Sequence, residues 1–136
     1  MAHIKIEDIE GIGEVKGQKL RGLGITSVKK LLENTRTKRQ RQQLAEQAEI
    51  SEKRILRFAN MADLYRIKGV GQEFSELLEA AGVDTVPELA QRNAANLTAK
   101  MNEVNGEKKL TRRSPNLAEV EKWVAQAKEL PRALEY

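Results

Sequence analysis

The sequence has no cysteine and only three prolines and five aromatic residues. The lack of cysteine excludes disulfides and thiolate-bound zinc. The scarcity of aromatic residues disfavours a stacking platform for single-stranded nucleic acid. No segment approaches the roughly 18 apolar residues of a membrane span, and the first ten residues lack the apolar core of a signal peptide. We therefore expect a cytoplasmic protein without membrane contact.

What the chain has in abundance are helix-forming residues. Its 136 residues are 40% hydrophobic and 32% charged, and Leu, Ala, Glu, Lys, Arg and Gln predominate. These residue types favour helices, and few segments show the alternation of apolar and polar residues that is typical of strands. The composition predicts an all-α protein.

Positive charge is concentrated in the first half of the chain. The net charge is +4. Residues 1–60 contain 13 Lys and Arg against 8 Asp and Glu, whereas residues 61–136 contain 11 against 12. A basic balance favours nucleic acid as a partner, and here that preference belongs to the first half.

An internal repeat organises the sequence. Residues 9–32 align with residues 67–90 at an offset of 58, and 7 of these 24 pairs are identical, including the two glycines of Ile9-Glu10-Gly11-Ile12-Gly13 and Ile67-Lys68-Gly69-Val70-Gly71. We call these two segments the first and second glycine turns. The repeat resumes at an offset of 65, where the helical faces Ile55, Phe58, Ala62 and Val120, Trp123, Ala127 correspond.

The repeat predicts two tandem five-helix domains, 1–66 and 67–136. The short, apparently helical join between Arg57 and Gly69 favours one compact body. The predicted helices are 5–9, 14–23, 27–33, 38–48, 52–65, 72–81, 86–91, 94–105 and 115–129, the fifth of which also opens the second repeat. We interpret residues 105–113 as a flexible loop.

Side chains that cap helices support these boundaries. Thr26, Thr37 and Ser51 are predicted N-caps, Thr85 with Glu88 a capping box, and Ser114 with Pro115 another helix start. Gly24 suits a left-handed helix end.

The glycine turns have a chemical meaning of their own. Glycine at alternate positions permits positive φ and close approach of another backbone, while Ile12 or Val70 between them can anchor the turn. Each turn leads into a helix whose first N–H groups are unpaired. Such donors bind anions, including a DNA phosphate. A purely structural role, in which glycine only allows two helices to turn sharply, stays open.

These motifs resemble the helix-hairpin-helix superfamily. Each repeat, with its glycine turn and then Gly24-Ile25-Thr26 or Gly82-Val83-Asp84, is similar to the N-terminal domain of the recombinase family, and the tandem arrangement resembles an uncharacterised bacterial family of paired helix-hairpin-helix domains. The resemblance covers nearly the whole chain. It implies an all-helical fold and sequence-independent DNA binding through turn amides.

The sequence departs from the DNA-binding pattern at one position. DNA-binding members often carry Lys or Arg two residues after the second glycine, where this chain has Val15 and Glu73. Lys16, Lys19 and Arg21 compensate around the first turn. Glu73, Glu76 and Glu79 surround the second turn with negative charge, so we expect it to bind DNA poorly and to suit a structural or protein-docking role.

Basic side chains near the first turn complete the predicted site. One cluster spans Arg36 to Arg41, and a second lies on the fifth helix. The predicted DNA-binding residues are Gly11, Ile12, Gly13, Lys16, Lys19, Arg36, Lys38, Arg39, Arg41, Lys53, Arg54, Arg57, Gly69, Val70 and Gly71. Another basic cluster, Lys108, Lys109, Arg112 and Arg113, lies in the predicted loop. Each cluster can also be read as a solvated face.

No catalytic pattern appears. His3 is the only histidine and has no partner motif, and no serine has a base at a recognisable spacing. We expect no cofactor, no metal and no enzymatic activity. Two hypotheses stay open: a DNA-binding module of low sequence specificity, and a protein-interaction adapter whose hairpins are purely structural.

Overall fold

The computed structural model describes residues 5–9 and 11–135, so His3 lies outside the described residues. The regular structure of this part of the chain is helical, apart from one isolated bridge between Lys5 and Ser27. A 3₁₀ turn at Ile6–Asp8 is followed by α1 (Gly13–Gly22), α2 (Val28–Glu33), α3 (Lys38–Ala48), α4 (Glu52–Leu64), α5 (Gln72–Ala80), α6 (Val86–Ala90), α7 (Ala94–Lys108) and α8 (Leu117–Glu129). The predicted all-α class is confirmed.

The described residues form two compact units. Unit one contains the described residues up to 63 together with 133–135, and unit two contains residues 64–132. In unit one, α1 packs against the 3₁₀ turn and against α3. In unit two, α8 packs against α6 and α7, and α7 against α5. The packing of the two units into one body stays a prediction.

Each unit has an aliphatic core with one large aromatic side chain. In unit one, α4 buries Ile55, Phe58 and Ala62 on one face. In unit two, α8 buries Val120, Trp123 and Ala127 at the same spacing. Because these positions recur every three to four residues, one face of each helix is apolar. The two helical faces that the repeat equates are therefore both buried, with Phe58 and Trp123 at corresponding positions.

Hydrogen bonds at the helix starts correct two predicted caps. Thr37 and Ser51 accept from backbone amides as predicted. The Thr85 hydroxyl accepts from the Glu88 amide at 3.3 Å, so Thr85 caps α6, but the return bond from Glu88 that a capping box requires is not formed. However, Ser27 rather than Thr26 caps α2, since its hydroxyl accepts from the Lys30 amide.

The start of α8 is the second correction. Asn116 rather than Ser114 is its N-cap and forms a reciprocal box with Glu119. The repeat already equates Ser51 with Asn116, so the sequence held the signal.

Two helices end in the same glycine motif. Gly24 has φ +86°, its N–H donates to Arg21, and the Ile25 N–H donates back to the Leu20 carbonyl at 2.9 Å. Gly82 has φ +95° and forms the matching pair of bonds at the end of α5. Both are Schellman ends, in which left-handed glycine lets the chain satisfy the last carbonyls of the helix. The predicted helix end at Gly24 is confirmed.

The predicted flexible loop at 105–113 is wrong in its first part. Helix α7 continues to Lys108 and ends with Lys109 in a left-handed conformation, φ 51°. Asn105 is buried, and its side chain bonds the Thr111 backbone in both directions, accepting at 3.0 Å and donating at 3.3 Å. This clamp fixes the polar segment, because a buried amide needs its partners.

Candidate functional site

The first glycine turn is closed by its own backbone. Gly11 has φ +91° and Gly13 φ +66°, both in the left-handed region that favours glycine. The Ile12 N–H donates to the Ile9 carbonyl at 3.2 Å, and the Ile12 side chain is buried. The amide of Ile12, which was predicted to contact DNA, is therefore used by the turn, and Ile12 acts as its apolar anchor.

Helix α1 starts directly from this turn and has no side-chain cap. Its N-cap position is Ile12, which offers no acceptor for the first amides of the helix. By contrast, α2, α3, α6, α7 and α8 have capping side chains at Ser27, Thr37, Thr85, Asn93 and Asn116. A methyl group added to Gly13 would meet no atom within 4 Å. An anion can therefore approach the first turn of α1, where the helix dipole favours it.

Helix α4 supplies a cation beside the first turn. A methyl group added to Gly11 would lie 2.9 Å from Arg57 Nη1, so the guanidinium lies directly against this glycine. Lys53 and Arg54 stand one helical turn earlier on α4 and are exposed. Residues three and four apart share a helix face, so positive charge continues along α4 from the turn. The structure thus joins Arg57 of the predicted site to Gly11.

Further cations lie on α1 and at the start of α3. Lys19 is exposed and Lys16 half-buried on α1, and Lys38 and Arg39 are exposed in the first turn of α3, which packs against α1. Arg36 is exposed just before α3. Positive side chains at a helix start oppose the helix dipole and reduce stability. Their presence at α3 therefore suits an anionic partner better than it suits folding.

Two arginines of unit one are not available to a partner. Arg41 is only 5% exposed, and its guanidinium donates to the carbonyls of Thr35, Arg36 and Glu135. The prediction that Arg41 contacts DNA is wrong. Arg21 forms a bidentate ion pair with Glu7, at 2.8 and 2.6 Å. It therefore does not add a free charge beside the first turn.

The same ion pair perturbs Glu7. Hydrogen bonds from Arg21 lower the pKa of the Glu7 carboxyl from 4.5 to about 2. Unit two has a counterpart in Glu119, where hydrogen bonds from Arg113 and from the Asn116 backbone lower the pKa to about 2. Both carboxyls are ionised at neutral pH, and neither is poised for proton transfer.

The second glycine turn has the same closure with different surroundings. Gly69 has φ +94°, and the buried Val70 donates its N–H to Ile67 at 3.1 Å, so Val70 too is an anchor rather than a free amide. Gly71 has φ −109°, which other residues adopt readily. The Gln126 side chain bonds the Lys68 backbone in both directions, at 2.9 and 3.2 Å.

Aromatic rings and arginines surround the start of α5. Phe74 packs on Trp123 with ring centroids 5.1 Å apart. The Arg113 guanidinium lies 5.3 Å from the Phe74 ring centre. Arg112 Nε stands 3.5 Å from a Glu73 carboxylate oxygen. Glu73, which was expected to repel phosphate, thus has a cation beside it. Sequence reasoning missed this proximity because it assigned the two arginines to a flexible loop.

Comparison with known proteins places the chain in a family. A family model described as Domain of unknown function (DUF4332) matches residues 10–130. The chain belongs to the DUF4332 family. No curated protein and no solved structure matches it.

The described part of this DUF4332 chain has neither a metal-binding cluster nor a membrane-spanning helix. Within residues 5–9 and 11–135, no three His, Asp or Glu side chains are grouped so as to hold a metal ion. No helix in that part is both long and apolar enough to cross a membrane.

Proposed function

We propose that this DUF4332 protein is a non-catalytic, cytoplasmic helix-hairpin-helix protein that binds duplex DNA with low sequence specificity through unit one. The observation that carries the proposal is the first glycine turn. There the uncapped start of α1 opens onto free space at Gly13, and Arg57 lies against Gly11. Amide donors and a guanidinium at one turn suit a phosphate diester.

The charges of unit one extend this contact. Lys53 and Arg54 on α4, Lys16 and Lys19 on α1, and the exposed cations before and in the first turn of α3 can meet successive phosphates. Contacts of this kind recognise the DNA backbone without reading bases, so they predict binding that weakens steeply with salt. The aromatic ring beside Gly11, that of Phe58, is buried in the core and offers no stacking face, which favours duplex over single-stranded DNA.

Duplex binding at two salt concentrations tests the proposal. Lys16→Glu/Lys19→Glu should weaken binding by at least about tenfold, because each reversal removes a cation from the phosphate surface. The matched control is Lys100→Glu/Lys108→Glu on α7, which changes the net charge equally in unit two. Absence of wild-type binding at low salt, or equal losses in both variants, would contradict the proposal.

A protein-interaction adapter is the second candidate, and one observation favours it. Val15 in the first turn of α1 is 69% exposed at the position where a cation would serve DNA binding. An exposed apolar side chain beside a turn suits a protein partner.

Substitution of Val15→Lys separates the two candidates. If the turn binds DNA, the added cation should raise the affinity for DNA. It should also steepen the slope of log affinity against log salt concentration by about one phosphate contact. Val15→Gln is the uncharged control. If the turn serves only to dock a protein, neither substitution should change the affinity for DNA.

A further inference from the structure

The last described residues of the chain, 133–135, are bound to unit one. Helix α8 ends at Glu129, and residues 131–135 follow it without forming helix or strand. Residues 133–135 nevertheless belong to unit one and not to the unit that contains α8. Within them Leu134 is only 1% exposed. A short segment with a buried aliphatic side chain is therefore bound by a unit whose other residues are far away in sequence.

The backbone of this segment is paired with the connection between α2 and α3. The Glu135 N–H donates to the Arg36 carbonyl at 2.7 Å, and the Glu135 carbonyl accepts from the Arg41 guanidinium. The same guanidinium donates to the carbonyls of Thr35 at 2.7 Å and Arg36 at 3.3 Å. Because Arg41 is buried, its fork of donors joins the segment to the connection. We call the site formed by Thr35, Arg36 and Arg41 the Arg41 site.

The unit-one side of the Arg41 site is held in place by its own bonds. The Thr35 hydroxyl donates to the Leu31 carbonyl at the end of α2, at 2.8 Å. Thr37 and Gln40 form a reciprocal capping box at the start of α3. The connection between the two helices is therefore shaped by contacts that residues 133–135 do not make. A site that is already formed loses little conformational freedom when a segment binds to it.

The contacts of the segment define what the Arg41 site recognises. Glu135 is exposed as a residue, yet its backbone N–H and C=O both bond to the site. Leu134 before it is buried. Main-chain hydrogen bonds supply affinity whatever the side chain, and a buried side chain supplies the selection. The ligand class is therefore a peptide in which an aliphatic residue precedes a residue that has a backbone N–H, which excludes proline at the second position.

We propose that the Arg41 site is a peptide-recognition site whose resident ligand is the chain's own segment 133–135, and that a segment of the same chemistry from another protein replaces it. Exchange requires only that the residues after α8 leave unit one, since α2 and α3 keep their caps and their connection without them. The site uses neither glycine turn. It therefore goes beyond the proposed function and stands whether or not unit one binds DNA.

Vacating the site in the full chain and adding the segment back as a peptide tests the proposal. Leu134→Asp should release the segment, because a carboxylate is costly to bury where leucine lies. In a ¹H–¹⁵N correlation spectrum the amide cross peaks of Arg36 and Thr37 should then move from their wild-type positions. An unlabelled peptide of residues 128–135 should return them in a saturable way. A folded variant whose cross peaks do not respond to the peptide would overturn the proposal.

Wild type is the matched control for this titration. Its own segment competes with the peptide at an effective concentration of about 1 mM, so the peptide should bind wild type about tenfold more weakly than the variant. Equal affinities would mean that the peptide binds elsewhere, which would contradict the Arg41 site. Leu134→Ala is the milder variant if the buried charge unfolds unit one, and it should bind the peptide more tightly than wild type does.

Changes in the peptide test the recognised groups without touching the fold. A Leu134→Asp peptide should bind the vacated site at least about tenfold more weakly, since it loses the burial of the aliphatic side chain. A Glu135→Pro peptide lacks the N–H that donates to Arg36 and should also bind more weakly. A Glu135→Ala peptide keeps both backbone groups and should bind like the original. Equal affinities for all four peptides would refute the recognition.

Discussion

The two glycine turns share a backbone and differ in what lies against it. In both, the first glycine has φ near +90° and the apolar residue that follows bonds back across the turn. Against Gly11 lie the Arg57 guanidinium and the edge of the Phe58 ring, whereas against Gly69 lies the Trp123 indole without a guanidinium. The second glycine also differs, since Gly13 is left-handed and Gly71 is not.

The repeat therefore preserves the backbone conformation of the turn but not the side chains that surround it. The first turn has a charged group that is present before any partner arrives. The second turn has neutral donors, with charge supplied by arginines from the segment that follows α7. If the two turns were equivalent, matched substitutions in them would have equal effects.

The largest expected difference concerns the first glycine of each turn. Gly11→Ala and Gly69→Ala both place a side chain at positive φ, which costs about 1 to 2 kcal/mol. At Gly69 the new methyl also presses on Trp123, which is packed in the core, so the total should reach about 3 kcal/mol. At Gly11 the nearest atom belongs to the end of a flexible arginine, and the Phe58 ring edge at 3.5 Å is in ordinary van der Waals contact. Urea unfolding measures the loss in free energy of unfolding for each variant. Equal losses would show that the indole moves aside as easily as the Arg57 side chain.

The second glycine should give effects of opposite sign. Gly13→Ala imposes a left-handed conformation on alanine and should lower stability by about 1 kcal/mol. Gly71→Ser has open space and an ordinary φ, and serine is a good N-cap, so it should raise stability by about 0.4 to 1 kcal/mol. Thermal unfolding of the two variants decides this, and a stability loss at Gly71 would contradict the assigned conformation.

Reversing the cations of α3 should separate stability from binding. Lys38→Glu/Arg39→Glu places carboxylates where the helix dipole favours them, so stability should rise by about 0.3 to 1 kcal/mol per residue. The same variant should bind DNA more weakly. Calorimetry and a DNA titration on one preparation measure both quantities. Unchanged DNA affinity would remove α3 from the proposed surface.

The smallest effects are expected from the two perturbed carboxyls. The pKa values of Glu7 and Glu119 are lowered from 4.5 to about 2. Each contribution to stability is therefore complete above pH 4.5 and is lost as the pH falls towards 2. The difference in free energy of unfolding between wild type and Glu7→Gln, or between wild type and Glu119→Gln, should shrink as the pH falls through this interval. Urea unfolding at several pH values measures this difference. A difference that does not change with pH would show that the ion pairs do not stabilise the fold.

The helices could be predicted from sequence more fully than the contacts between them. Predicted ends lie within three residues of those observed, because apolar spacing and caps are local signals. The caps at Ser27 and Asn116 differ from the predicted Thr26 and Ser114 because they show only in the alignment of the two repeats, which equates Ser27 with Thr85 and Ser51 with Asn116.

The buried arginine shows what local patterns leave undecided. Arg41 lies on the same stripe of α3 as the buried Leu44, Ala45 and Ala48, a spacing that predicts burial. Its positive charge, by contrast, is typical of an exposed residue, and on that basis Arg41 was predicted to contact DNA. The carbonyls that accept from it belong to Thr35, Arg36 and the distant Glu135, and no local pattern shows that Glu135 returns to this helix.

The candidate site could be predicted only in part, because local sequence patterns do not show how the helices pack. The glycine turns and the exposed cations follow from composition and spacing. The placement of Arg57 on Gly11 and of Trp123 on Gly69 depends on how α4 and α8 pack, which a repeat indicates only as correspondence between faces. The cation beside Glu73 comes from a segment without periodic structure, so no pattern could locate it.

The salt dependence of DNA binding decides whether unit one is the DNA-binding half of the chain. The measurement is the slope of log affinity against log salt for wild type, for Lys53→Gln/Arg54→Gln on α4, and for Lys100→Gln/Lys108→Gln on α7. The α4 variant should lose about two phosphate contacts from the slope, whereas the α7 variant should keep the wild-type slope. Equal slopes in all three proteins, or a loss confined to the α7 variant, would contradict DNA binding by unit one.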